Sequence, residues 1–183
     1  RLEFGEEEFD QIAHHCDRVG IKWFASVWDR ESVEFMRNYS STMKIPSALI
    51  DDLTLVREAR HSCKTLMIST GMSTEEEIDA AMEYRPDVVF HTCSGYPTPI
   101  EELQMDRISW MQEKYPDTEI GYSGHEFGLV PTYIAAALGC GWIERHVTLD
   151  RTMWGSDHMA SVEPGGLIKM CKGIKDIKEM RFT

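Results

Sequence analysis

Apolar residues along the chain follow two alternating patterns, which predict strands and helices in strict succession. Short apolar runs predict strands, and apolar residues three or four positions apart predict helices. The predicted strands are Lys22–Val27, Met43–Ile45, Thr65–Ser69, Asp87–His91, Ile120–Tyr122 and Trp142–Arg145. The predicted helices are Glu6–Arg18, Arg30–Arg37, Asp52–Ser62, a helix capped by Ser73 or Thr74 that runs to Tyr84, Ile100–Lys114, Leu129–Leu138 and Pro164–Met180.

Six strand–helix units therefore follow one another without a linker. This alternation is typical of an α/β fold, in which helices cover a parallel sheet. Right-handed crossovers leave a doubly wound sheet or a barrel as the possible architectures. A complete (β/α)8 barrel has eight units and about 250 residues, whereas this chain has 183 residues. We therefore expect a partial TIM barrel of six units, with residues 1–183 forming one domain that lacks the first two barrel strands.

Two histidines follow neighbouring predicted strands. His125 comes after the run Glu119–Tyr122, and His146 comes after Gly141–Glu144. In an α/β barrel the loops after the strands form the active site, so both side chains should point into one space. Neutral imidazole binds Mn, Fe, Co and Zn ions, and two such ligands leave coordination positions open for a substrate. The pair predicts a metal site, although either histidine alone would be interpreted as a packed strand-end residue.

Other polar residues recur where the predicted strands end. They are Ser26, Lys44, Ser47, Ser69, Ser94 and Ser123. A single strand-end serine usually caps a helix or forms a turn. Five serines around one lysine instead predict a phosphate-binding site, because hydroxyls donate hydrogen bonds to phosphate and the ammonium supplies charge.

Tyr96 lies in a stiff proline-rich loop over the predicted barrel mouth, and Asp157 either binds sugar hydroxyls or caps a turn. His91 is interpreted as structural.

Composition excludes several classes of function. The net charge of −12 argues against nonspecific nucleic-acid binding, which needs clustered Lys and Arg. No run approaches the roughly 20 apolar residues of a membrane span. The five cysteines are scattered without a CxxC pair, which indicates free thiols in a reducing compartment and predicts a cytoplasmic protein. Because the chain opens on Arg1 rather than Met, we expect it to be a segment of a longer protein.

Six sequence blocks resemble the sialic acid synthase family. They are KIPS (Lys44–Ser47), STGM (Ser69–Met72), CSGYPTP (Cys93–Pro99), GYSGHE (Gly121–Glu126), ERHVTLDRTMWGSDH (Glu144–His158) and EPGGL (Glu163–Leu167). Members of that family condense phosphoenolpyruvate with an N-acyl hexosamine such as N-acetylmannosamine, giving a nine-carbon sugar acid and phosphate. They are (β/α)8 barrels followed by a small antifreeze-like domain. The resemblance implies the same two small-molecule partners, a homodimer, and no nucleic acid or membrane partner.

The resemblance also implies roles for individual residues. His125 and His146 match the two histidine ligands of a divalent ion, Mn or Mg, and with Lys44 they form the expected catalytic set. The positions that hold phosphoenolpyruvate are matched by Ser26, Lys44, Ser47, Ser69 and Ser123, with Ser94 at a place where some members have Asn. Tyr96 and Asp157 match residues near the sugar, and Trp28 matches an aromatic position that lines the site.

The chain departs from the family pattern at several points. Leu49 stands where many members have a glutamate at the sugar site, which leaves the acceptor sugar open. In family members the first two barrel strands supply a site Glu and a further Lys. These strands have no counterpart in the sequence, and neither does the antifreeze-like domain. A catalytically inactive sugar-phosphate-binding or scaffold barrel is therefore the alternative. A different phosphoenolpyruvate-condensing aldol enzyme is a second rival, which the Glu144–His158 block disfavours.

Overall fold

The computed structural model describes residues 4–180, and its centre is one sheet of parallel strands. The strands are β1 (Ala25–Ser26), β2 (Thr42–Ile45), β3 (Thr65–Ser69), β4 (Val88–Thr92), β5 (Glu119–Gly124) and β6 (Trp142–Arg145). Their order in the sheet is their order in the sequence. A doubly wound sheet reverses its strand order at a switch point. The sequential order therefore identifies the barrel architecture, and the fold is a partial TIM barrel of six units.

The sheet is strongly curved. Strands β2 and β6 are four positions apart in the sheet, which in a flat sheet would separate them by about 19 Å. Yet the Nζ atom of Lys44 on β2 lies 2.6 Å from Oε1 of Glu144 on β6. This direct contact requires the sheet to curl around a central space, as it does in a barrel.

Helices cover the outside of the curved sheet. They are α1 (Glu6–Val19), α2 (Arg30–Met36), α3 (Leu53–Ser62), α4 (Glu75–Met82), α5 (Asp106–Lys114), α6 (Val130–Ala137) and α7 (Pro164–Glu179). Local signals fix several ends. Thr74 accepts a hydrogen bond from the Glu77 amide while the Glu77 side chain accepts one from the Thr74 amide, which is a capping box. Gly20 ends α1 in the left-handed conformation, with φ of 72°.

The apolar core lies between the sheet and the helices. One cluster joins strands β2 and β3 to α2, α3 and α4, and includes Met43, Val56 and Leu66. A second joins β4 and β5 to α5 and α6, and includes Ile108 and Tyr122. Alternate residues on each strand point the other way, toward the interior of the curved sheet. This alternation leaves the inward positions at the strand ends for polar residues.

Most predicted elements match the structure to within a few residues, and two differ more. The strand predicted over Lys22–Val27 is only Ala25–Ser26, because β1 is an edge strand that pairs with β2 over two residues. The helix predicted over Ile100–Lys114 is divided into a 3-10 turn at Ile100–Glu102 and helix α5, with Gln104 at a positive φ between them. All five cysteines are free, as predicted. Within residues 4–180, no helix has the length and apolar content needed to cross a membrane.

Candidate active site

A cavity of about 640 Å³ lies at the carboxyl ends of the strands, where a barrel carries its site. Every residue predicted from the sequence to form the site lines this cavity. They are Ser26, Trp28, Lys44, Ser47, Ser69, Ser94, Tyr96, Ser123, His125, His146 and Asp157. A groove of about 760 Å³ at the opposite ends of β4 and β5 contains none of them, and its Lys114 is paired with Asp79.

Lys44 and Glu144 form a charged pair across the cavity. The Lys44 ammonium donates to both carboxylate oxygens, at 2.6 and 2.8 Å, and the Ser123 hydroxyl donates to Oε1 at 2.9 Å. Burial alone would raise the pKa of Glu144, but the charge of Lys44 and these hydrogen bonds outweigh it and hold that pKa below its usual value. Glu144 is therefore ionised at neutral pH, and two of the three N–H groups of Lys44 are used to bind it.

Glu144 is the cavity residue that the sequence interpretation missed. Glu144 lies within β6, and the sequence interpretation assigned a site role only to His146 near this strand. The signal was nevertheless present, because strand side chains alternate and Glu144 stands two residues before His146. A period of two along β6 places both side chains on the cavity side.

Serine hydroxyls form a narrow recess next to Lys44. The Gly71 amide donates to the Ser47 hydroxyl at 2.9 Å, and a Cβ added at Gly71 would collide with the Ser94 hydroxyl. Ser69 Oγ is buried and, among residues 4–180, is one of two buried side-chain polar atoms with no hydrogen-bond partner. An unsatisfied buried hydroxyl is costly, by about 1–3 kcal/mol. The recess thus has the donors, and one unused hydroxyl, to bind an anion.

His125 is neutral and its tautomer is defined by its neighbours. Its Nδ1 lies 2.9 Å from the Cys93 carbonyl oxygen, which can only accept, so Nδ1 carries the proton. Nε2 then has the lone pair, and the Tyr96 hydroxyl donates to it at 3.2 Å. Burial lowers the pKa of His125, and the nearby His146 lowers it further. A neutral imidazole with an unprotonated Nε2 is the form that binds metals.

His146 is close to His125 and has a carboxylate partner of its own. The two ring centroids are 5.1 Å apart, and Nδ1 of His146 lies 3.3 Å from Oδ2 of Asp157. This contact does not have the geometry of a hydrogen bond, so it leaves the tautomer of His146 undefined. Asp157 therefore contacts a histidine in this structure, a contact that the sequence interpretation did not anticipate.

The two histidines fit a divalent metal by their donor chemistry. Metal-binding histidines usually donate their second ring N–H to a carbonyl or carboxylate, which orients the ring. His125 does so to the Cys93 carbonyl, whereas His146 has the Asp157 carboxylate nearby without a hydrogen bond to it. Within the described part of the chain, no three His, Cys, Asp or Glu side chains converge in a metal-binding arrangement. His125 and His146 are thus the two candidate metal ligands among the described residues.

The remaining predicted residues form the rim of the cavity. The loop of Tyr96 is held in place by Thr98, whose amide donates to the His125 carbonyl and whose hydroxyl donates to the Gly95 carbonyl. Trp28 is 59% exposed, so its ring is available at the rim. Ala48 lines the wall, whereas Leu49 packs against the apolar core cluster of β2 and β3.

Two other histidines lie outside the cavity lining. His91 is buried, and its Nε2 lies 2.8 Å from the Leu103 carbonyl, in agreement with the structural role predicted for it. His158, to which the sequence assigned no role, has Nδ1 2.7 Å from the Thr148 hydroxyl. Both side chains are thus engaged in local hydrogen bonds that stabilise loops.

Comparison with known proteins gives relatives along nearly the whole chain. N-acetylneuraminate-9-phosphate synthase of Homo sapiens is 33% identical over 180 residues, which are 95% of this chain and 50% of that protein. Pseudaminic acid synthase of Campylobacter jejuni is 35% identical over 164 residues, which are 86% of this chain and 48% of that protein. The chain spans about half the length of the curated relatives it matches.

A solved structure has the same fold. The N-acetylneuraminic acid synthetase of Leptospira borgpetersenii superimposes with a TM-score of 0.92 at 29% identity, covering 97% of this chain and 64% of that one. The sequence pattern of the NeuB family matches residues 1–182. This match confirms the resemblance drawn from the six sequence blocks. The chain belongs to the NeuB family.

Proposed function

We propose that this chain forms the phosphoenolpyruvate-binding and metal-binding part of a nonulosonic acid synthase. The reaction condenses phosphoenolpyruvate, an open-chain N-acyl hexosamine and water into a nonulosonic acid and phosphate. One observation carries the proposal. A single cavity is lined by Lys44, by Ser69, whose hydroxyl has no partner among residues 4–180, and by the His125–His146 pair. The names of the relatives, which are sialic and pseudaminic acid synthases, support the same class of reaction.

Lys44 and the serine recess bind the phosphate group in this proposal. The third N–H of the Lys44 ammonium and the hydroxyls of Ser47, Ser69 and Ser94 are the donors for its oxygens. Hydrogen bonds from a charged donor to phosphate are about twice as strong as neutral ones. The Glu144 carboxylate keeps Lys44 in position before the anion arrives. Binding would satisfy the Ser69 hydroxyl, which has no partner among residues 4–180.

His125 and His146 hold the divalent ion, Mn or Mg, through their Nε2 atoms. When bound, such an ion acts as a Lewis acid that makes the sugar aldehyde more electrophilic. The hydrogen bond to the Cys93 carbonyl keeps the His125 ring in the required tautomer, and the Asp157 carboxylate lies beside Nδ1 of His146. Tyr96 lies against both rings, with its centroid 4.3 Å from that of His125, and forms the wall that the sugar contacts.

The bond changes follow from this arrangement. C3 of phosphoenolpyruvate attacks the aldehyde carbon, and the aldehyde oxygen takes up a proton. Water adds to the cationic C2 and loses its proton to Glu144, the ionised carboxylate beside Lys44. Phosphate then leaves from C2 and takes up the proton of the hydroxyl that water added, so that the C2 ketone forms. Fixing both reactants in one cavity accounts for much of the rate, because oriented reactants avoid the entropy cost of meeting.

The test measures phosphate release by the longest natural polypeptide that contains this chain. The reaction contains phosphoenolpyruvate, Mn²⁺ and one of a panel of N-acyl hexosamines that begins with N-acetylmannosamine, with and without a chelator. His125→Ala should abolish release, whereas the exposed His61→Ala, the matched histidine control, should retain it. Release that requires both the sugar and the metal supports the proposal.

Two results would contradict the proposed activity. Phosphate release without sugar and without metal would identify a different reaction. Binding of phosphoenolpyruvate without turnover of any sugar would instead favour the inactive sugar-phosphate-binding barrel. The homodimer and the cytoplasmic location stay predictions, and sedimentation of the natural polypeptide would test the former.

A further inference from the structure

Glu126 and Arg145 form an ion pair that is buried behind the two candidate metal-binding histidines. Their side chains are 0% and 1% exposed, and Nη1 of Arg145 lies 2.7 Å from Oε1 of Glu126. The Tyr122 hydroxyl donates to the other carboxylate oxygen at 2.8 Å. Neither charged residue lines the cavity. The pair therefore has no direct access to a substrate or a metal.

Arg145 connects three separate segments of the chain. Its guanidinium donates to the backbone carbonyls of Glu126 at 2.7 Å and Gly128 at 2.9 Å, which lie in the loop after β5. It also donates to the Thr132 hydroxyl at 2.9 Å, at the start of α6. A longer bond of 3.4 Å reaches the Ala160 carbonyl, beyond the loop that contains Asp157. One side chain thus fixes the relative positions of these segments.

The positions of this pair in the sequence link it to the histidines. Glu126 directly follows His125, and Arg145 directly precedes His146. Because side chains alternate along a strand, Arg145 points outward where Glu144 and His146 point into the cavity. The guanidinium therefore holds the backbone next to both histidines from the outside, and the Ala160 bond adds the segment that follows Asp157.

Stability alone does not account for such a pair. Desolvation of two buried charges offsets most of their attraction, and well-packed apolar residues often replace them without loss. The Nε atom of Arg145 is in addition buried without a hydrogen-bond partner among the described residues, which is a cost. The planar guanidinium does, however, define direction, because its N–H groups are in a rigid fork. These observations therefore support a role for Arg145 in fixing geometry better than a role in stability.

We propose that Glu126 and Arg145 are positioning residues, which set the separation and orientation of His125 and His146 for metal binding. This inference rests on the metal-binding part of the proposed function. It adds two residues that act through the histidines and touch neither substrate nor metal. A lysine at position 145 keeps the charge but cannot reproduce five hydrogen bonds in fixed directions.

The experiment compares Arg145→Lys with Arg60→Lys in the longest natural polypeptide. Arg60 is a matched control, because it too pairs with a carboxylate, Asp87, and donates to three backbone carbonyls. It lies at the opposite ends of the strands, away from the cavity. Three quantities are measured on each protein: the unfolding temperature, the Mn²⁺ dissociation constant by electron paramagnetic resonance, and the imidazole ¹⁵N shifts of the metal-free protein.

We expect both variants to unfold at lower temperature, and only Arg145→Lys to bind Mn²⁺ more weakly, by about 10–100-fold. Its imidazole signals for His125 and His146 should move while those of Arg60→Lys remain in place. Wild-type Mn²⁺ affinity and unmoved signals in Arg145→Lys would overturn the inference. If Arg145→Lys fails to fold, Glu126→Gln is measured in the same way. Moved imidazole signals in a protein that binds no Mn²⁺ would support positioning and reject the metal site.

Discussion

Replacement of Lys44 by methionine leaves the Glu144 carboxylate in the cavity without its cation. The Lys44 side chain is 10% exposed and that of Glu144 is 28% exposed, so the pair is largely removed from water. Breaking a fully buried pair costs about 3–5 kcal/mol. Because Glu144 keeps the hydrogen bond from Ser123 and some contact with water, we expect Lys44→Met to lower the free energy of unfolding by about 2–3 kcal/mol at pH 7.5.

The pH dependence of this loss has a defined sign. In the wild type the pKa of Glu144 lies below its usual value of about 4.3, so the pair stabilises the protein above that pH and the effect is lost as the pH falls through the folded-state pKa. In the variant both contributions of Lys44 are lost, and burial, the largest cause, is opposed only by the Ser123 hydrogen bond and by His146, so the pKa of Glu144 rises. The variant therefore gains stability as the pH falls from 7.5 toward 5, and the difference from the wild type becomes smaller.

Urea unfolding followed by tryptophan fluorescence measures these free energies at each pH. The second variant is Glu144→Gln, which removes the negative charge but keeps a hydrogen-bond acceptor. A double variant combines it with Lys44→Met. In the double variant the loss caused by Lys44→Met should be at least 1 kcal/mol smaller than in the wild-type background, because contacting residues couple by about 0.5–3 kcal/mol. Equal losses in both backgrounds would refute the idea that the two charges stabilise each other.

Three further predictions concern the recess and the core. Ser69→Ala should lower the affinity for inorganic phosphate, measured by calorimetry, by about tenfold. The free energy of unfolding should stay equal or rise by up to about 1 kcal/mol, because the Ser69 hydroxyl has no partner in the described part of the chain; a clear stability loss would contradict this. Gly71→Ala should abolish phosphate binding, because its Cβ would lie 2.9 Å from the Ser47 hydroxyl, while Gly165→Ala, which has open space, should not. Burial lowers the pKa of His91, so the folded protein resists protonation of this residue and its free energy of unfolding decreases as the pH falls below about 6.5. In His91→Gln the free energy of unfolding in urea should change less between pH 7.5 and 5. An unchanged pH dependence would count against this.

The sequence predicted those features that depend on local patterns. Strands β3 and β6 have the predicted bounds, because their apolar runs are short and are flanked by clear turn or cap residues. Thr74, one of the two predicted caps, begins α4, and the Thr–Glu spacing of its capping box is visible in the sequence. The position of His125 and His146 at neighbouring strand ends was likewise predictable, because it follows from the strand assignments alone.

Features that depend on distant contacts were not predictable in the same way. The shortness of β1 comes from its place at the sheet edge, which local pattern does not encode. The Glu126–Arg145 pair joins residues 19 positions apart on two elements, and nothing in the surrounding sequence marks either as the partner of the other. Leu49 is a similar case, because its neighbour Ala48 lines the cavity while Leu49 itself turns into the core.

The contact between Lys44 and Glu144 has a consequence for the order of folding. Each strand pairs with the next one in sequence, so the sheet can grow by successive short-range steps, whereas this contact joins residues 100 positions apart. Contacts of long sequence separation require costly chain closure and form late. The anion-binding cavity should therefore arise only in the last phase of refolding. Phosphate added during refolding would then act on the final step and leave the early growth of the sheet unaffected.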